Sequence, residues 1–217
     1  MKASLPAVHM HPVDEALLHF KKADRTLYLA ALPHKESLKQ GTWTAAKGTD
    51  RFPALVRSVV SQQLSIKAAD AIWLRVHRHL KGEVTPQKVL QTREKTLRAQ
   101  GLSGAKIKTI QELSRAILEK RLSLTSLSRM HKEEAVASLT QVWGIGRWTA
   151  EMFLIFTLNR PDVFSSGDLG LRRSLEKLYD LEVDVPVSVL ESYAQHWSPY
   201  RSIACRILWA VRDSANY

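Results

Sequence analysis

Two places in this sequence combine residue type and spacing in a way that could do chemistry. In Gly144-Ile145-Gly146-Arg147-Trp148, two glycines one residue apart lie between two segments of helical periodicity. Glycine admits positive φ and carries no side chain, so backbone N–H groups at the start of the second helix can approach an anion such as a phosphate oxygen closely. The second place is Asp168, at the end of a loop and ahead of an amphipathic segment that starts at Leu169. As the N-cap of that helix it would accept backbone N–H bonds, and the helix dipole would favour its ionised form. A fixed carboxylate can stabilise a developing positive charge, or orient and deprotonate a water. Asp162, six residues earlier, is the rival carboxylate in the same loop. Both places also admit purely structural readings, a tight connection between helices and a helix cap.

The elements that must hold these groups are helices. Apolar residues recur at helical spacing and strand-like alternation is scarce, which predicts an all-α chain. Helices are expected near 12–31, 53–63, 65–80, 86–91, 93–99, 104–120, 131–141, 147–159, 169–179, 186–195 and 199–212. Thr85 before Pro86 and Ser103 have the form of N-caps, and Gly101 that of a stop. The segment Trp148 to Leu158 is apolar around nearly its whole circumference, which predicts an enclosed helix.

Length and composition narrow the function classes. The 217 residues suffice for a real core, and 45% hydrophobic with 24% charged is an ordinary globular balance. Thirty-two Lys and Arg against 21 Asp and Glu give a net charge of +11, which favours a polyanionic partner, nucleic acid ahead of an anionic membrane surface. Eight of those basic residues fall between Arg98 and Lys132, against two Glu. Cys205 is the only cysteine, which rules out an internal disulfide and a four-cysteine metal or iron–sulfur site. His9 with His11 and His77 with His79 have no acidic or cysteine cluster to complete a metal site. The start at Met1 lacks the apolar stretch of a signal peptide, and no run is long enough to span a bilayer, so a soluble intracellular protein is expected.

Several segments then occur in a telling order. They are Phe52-Pro53-Ala54-Leu55-Val56, Val60-Ser61-Gln62-Gln63-Leu64-Ser65, the glycine pair flanked by apolar 139, 142 and 145 with Ala150, Asp168, Trp197-Ser198-Pro199-Tyr200-Arg201-Ser202-Ile203-Ala204, and Trp209. Together they resemble the helix-hairpin-helix DNA glycosylase superfamily, and in it the 3-methyladenine DNA glycosylase II group, in a compact form without the N-terminal β domain. The resemblance implies two helical subdomains, 51–160 bearing the hairpin and 1–50 with 161–217 completing a cleft.

It also implies the chemistry. Asp168 would be the catalytic carboxylate, Trp148, Met152 and Trp209 the base pocket, and Gln63 with Leu64 the wedge that fills the vacated base stack. Gly144, Gly146 and Arg147 would meet the DNA backbone, and the carbonyls of Thr140, Val142 and Ile145 would hold a Na+ or K+ ion. No cofactor is required for catalysis. Bifunctional relatives carry a Schiff-base lysine just after the hairpin, where this chain has Trp148, so the implied enzyme is monofunctional. Its partner would be double-stranded DNA with alkylated purines, in base excision repair, acting as a monomer in a bacterial cytoplasm or eukaryotic nucleus. A non-catalytic DNA clamp and a glycosylase/lyase for oxidised bases are the alternatives. Two departures stand out: Trp143 where many members have proline, and Met152 where larger relatives have tyrosine.

Overall fold

A computed structural model describes residues 10–41, 43 and 45–214. The amino-terminal start and His9 lie outside them. Among the described residues the chain is all-α, with thirteen α-helices: α1 Pro12–Ala23, α2 Arg25–Ala31, α3 Lys35–Lys39, α4 Gly48–Ser61, α5 Ile66–His79, α6 Pro86–Gln91, α7 Glu94–Ala99, α8 Gly104–Leu118, α9 Lys132–Thr140, α10 Arg147–Met152, α11 Leu169–Leu178, α12 Val187–His196 and α13 Arg201–Ser214. Short 3-10 turns at Leu32–His34 and Ser126–Arg129 join some of them. None is long and apolar enough to cross a membrane.

Local chemistry sets many of the ends. The hydroxyls of Ser65, Thr85 and Ser103 each accept an N–H from the first turn of the helix they precede, at 3.3 Å. Where one helix was expected over 12–31, the chain breaks at Asp24, which has an extended backbone and caps α2 through Leu27 N at 3.0 Å. Its other oxygen takes Tyr179 Oη at 2.5 Å and Trp197 Nε1 at 2.7 Å, and Trp197 is fully buried. A continuous helix would point that carboxylate away from both aromatics.

The chain forms two compact units, one comprising the residues up to Trp43 and from Pro161 on, the other ending at Arg160. In the first, Val13, Phe20, Leu27, Leu171, Leu175, Leu190 and Ile207 make the core; in the second, Leu55, Val59, Ile107, Leu113, Leu139, Phe153 and Leu154 do. The boundary expected at 51 falls earlier. Arg51 donates to the carbonyls of Ala46 at 3.2 Å and Leu124 at 2.9 Å, and Ala46 N donates to Thr157 O at 2.8 Å, so the lead-in to α4 belongs to the second unit. The enclosed helix expected over 147–159 is α-helical only to Met152 and then widens to a π-turn over Phe153–Thr157. Its residues from Thr149 to Ile155 are buried, while Phe156 is exposed.

Candidate active site

The loop that delivers Asp168 is fastened along α13. At its start, Ser202 N donates to Pro161 O at 2.9 Å, and Asp162 is gripped by Arg201 through Nε at 2.6 Å and Nη2 at 2.7 Å, with Ser198 Oγ at 2.9 Å. Further on, Val163 N donates to Ser202 Oγ at 3.0 Å, and Phe164 packs edge-on against Trp197. At its end, Asp168 caps α11, accepting Leu171 N at 2.7 Å, and the same oxygen accepts Trp209 Nε1 at 3.1 Å. Asp168 is thus a buried carboxylate that accepts a backbone and an indole donor, whereas Asp162 is engaged in fixing the loop.

That clamp is pH-sensitive. Burial pushes the Asp162 pKa up, but the Arg201 and Ser198 hydrogen bonds outweigh it and hold it below the usual carboxylate value. With the folded-state pKa below the unfolded one, the stabilisation is complete above about pH 4 and is lost as the pH falls further. Arg201→Met is expected to cost about 1–3 kcal/mol at pH 7, less than for a fully buried pair because both partners keep partial exposure. Denaturant melts of both proteins at pH 7 and pH 3 check this, and a gap that does not narrow in acid would refute it.

In the second unit the hairpin runs from α9 to α10. Leu139, Val142, Ile145 and Ala150 are buried and anchor it. Gly144 has φ +82°, and a Cβ there would lie 2.0 Å from Thr109 Oγ1. Gly146 differs: it precedes α10 with φ −86°, and a Cβ would meet nothing within 4 Å. One glycine is demanded by the protein's own packing, and the other has open space where a side chain would start.

Gln63 and Leu64, the residues expected to form a wedge, follow α4. Gln63 is exposed at φ +55°, a left-handed conformation, and Leu64 is 39% exposed. Behind them stand supports that the sequence did not announce. Gln62 Nε2 donates to Gly144 O at 3.1 Å and Thr149 Oγ1 at 3.0 Å, and Lys106 Nζ donates to Val60 O at 2.8 Å. The end of α4 is thereby tied to the hairpin.

Of the residues expected to form a base pocket, Trp148 is 38% exposed, Met152 is buried at the end of α10, and Trp209 is half-buried in the first unit. Arg147, expected on the DNA backbone, is held by two carboxylates. Its guanidinium binds both oxygens of Glu133 at 2.9 Å and donates to the buried Glu151 at 2.9 Å. Those bonds hold Glu133 below the usual carboxylate range, so Arg147 serves to lock α9 to α10. At the expected cation site, the Val142 carbonyl accepts Ile145 N at 3.0 Å and retains a second lone pair. Among the described residues no cluster of His, Cys, Asp and Glu could hold a metal ion.

The chain thus carries a tight glycine hairpin and a capped carboxylate on a fastened loop. The family of HhH-GPD superfamily base excision DNA repair proteins matches residues 56–199, and the chain belongs to it. More narrowly, the chain is similar to 3-methyladenine DNA glycosylases. It is 35% identical over 170 residues to DNA-3-methyladenine glycosylase 1 of Schizosaccharomyces pombe, covering 76% of this chain and 74% of that protein. The structure of the S. pombe 3-methyladenine DNA glycosylase in complex with abasic DNA superposes with a TM-score of 0.79 at 30% identity, covering 94% of this chain and 98% of that one. DNA-3-methyladenine glycosidase from Bacillus halodurans gives 0.75 at 33% identity, over 94% and 90%.

Proposed function

We propose that this chain is a monofunctional glycosylase that flips alkylated purines of the 3-methyladenine type out of duplex DNA and hydrolyses their N-glycosidic bond, with Asp168 as the catalytic carboxylate. That it is a DNA glycosylase of base excision repair follows from its family and from relatives named DNA-3-methyladenine glycosylase. Glycosylases of this type need no catalytic cofactor. The observation that carries the finer reading is the buried Asp168 carboxylate, fixed by Leu171 N and Trp209 Nε1.

As the base departs, the deoxyribose gains oxocarbenium character, and a pre-placed negative charge stabilises it without reorganisation. The same carboxylate can orient the attacking water. An alkylated purine is cationic, which makes it a good leaving group and a good partner for electron-rich indoles such as Trp148 and Trp209. Met152, on the same helix as Trp148, would also line the base pocket. Gln63 and Leu64 would fill the gap left by the flipped nucleotide. The N–H groups behind Gly144 and Gly146 would meet a phosphate, with a Na+ or K+ ion on the carbonyls of Thr140, Val142 and Ile145, and the protein would act as a monomer.

Water is the nucleophile in this account, because the position of the Schiff-base lysine in bifunctional relatives is Trp148. Borohydride added during turnover on methylated duplex should therefore trap no covalent protein–DNA adduct. A trapped adduct would replace the monofunctional reading with a lyase.

The Trp209 bond supplies a second prediction. Trp209→Phe keeps an aromatic ring but removes a hydrogen bond to a charged acceptor, and single-turnover base release is expected to fall roughly tenfold. An unchanged rate would mean that the indole N–H does not help to position Asp168.

A further inference from the structure

Trp143 departs from the hairpin's usual proline, and its indole is 48% exposed. Lys108 on α8 places Nζ 4.2 Å from the centroid of that ring. Its neighbour Thr109 is the buried residue packed beneath Gly144, so the turn of α8 that carries Lys108 is fixed against the hairpin. Most cations of the basic run are otherwise engaged. Arg98 pairs with Glu94, Arg115 with Glu112, Arg121 with Glu119, and Lys132 with Glu133 and Glu151, while Lys106 bonds the Val60 carbonyl. Lys108 is exposed, and no acid among the described residues lies within ion-pair distance of it.

An indole face attracts an ammonium group but does not neutralise it as a carboxylate would. The seat restricts a flexible side chain before any ligand arrives, which lowers the entropy lost when the ligand is bound. We propose that Lys108, seated on Trp143, is an additional DNA-backbone contact of this chain, its ammonium pairing with a phosphodiester oxygen beside the one met by the hairpin amides. The inference rests on the reading that the hairpin binds DNA. Trp143 then has a role that proline could not supply.

The test is the salt dependence of binding to a labelled duplex carrying a stable abasic-site analogue. Each phosphate contact contributes about 0.9 to the slope of log affinity against log salt. Lys108→Gln should lower the slope by that amount and weaken binding about fivefold at low salt, with thermal melting confirming the fold. Lys120→Asn, which removes the same charge beyond the far end of α8, should leave the slope unchanged. Trp143→Pro should weaken binding in the wild-type background and add little once Lys108 is gone. Equal slopes for Lys108→Gln and the wild type, or equal reductions by both lysine variants, would overturn the inference and leave the glycosylase reading standing. A wild type that fails to bind the duplex would overturn both.

Discussion

Asp168→Asn should abolish measurable base release while leaving the protein folded and able to bind DNA. The amide oxygen of asparagine can still cap α11 through Leu171 N and accept Trp209 Nε1, two of the bonds that hold the native side chain. The negative charge is lost. Removing one pre-organised electrostatic group from an active site typically costs 10²–10³ in rate, so a loss of at least about 100-fold is expected in single-turnover release. Melting should shift by less than about 1 kcal/mol, since the cap itself survives. A variant that loses stability but keeps its rate would reduce Asp168 to a helix cap.

Gly144→Ala and Gly146→Ala should separate sharply, although the two glycines are one residue apart. At Gly144 an alanine would have to adopt φ +82° and place its Cβ 2.0 Å from Thr109 Oγ1 and 3.0 Å from Thr109 Cβ. Thr109 is buried and its hydroxyl donates to Ala105 O at 3.0 Å, so it has little room to move. Left-handed strain and overpacking together should cost about 2–4 kcal/mol. At Gly146 the backbone is ordinary and the space is open, so stability should change by less than about 0.5 kcal/mol. If the hairpin meets a phosphate as proposed, the added methyl should instead weaken DNA binding. Chemical denaturation and duplex affinity for the two variants check this, and similar stability losses in both would contradict the division of labour.

Much of the arrangement was legible because it is local. The caps at Thr85, Ser103 and Asp168 are three-residue relations, and the buried character of α10 shows in the run of apolar residues from Trp148. What escaped depends on residues distant in sequence. Asp24 breaks the first expected helix because its partners Tyr179 and Trp197 lie 155 and 173 residues away. Arg147 has the type and place of a phosphate ligand, and only the fold shows Glu133 and Glu151 holding it. Gln62 and Gln63 are indistinguishable as letters; one stitches the end of α4 to the hairpin and the other stands exposed in a left-handed conformation. The different duties of Gly144 and Gly146 likewise depend on Thr109, which arrives from α8.

The central claim is hydrolytic excision of alkylated purines, and the most direct measurement incubates the protein with methylated duplex DNA. Free 3-methyladenine and 7-methylguanine are quantified beside strand breaks before and after alkali. The account predicts released 3-methyladenine with intact strands that break only on alkali treatment. Tight, salt-sensitive DNA binding with no released base, or breaks already present before alkali, would contradict it.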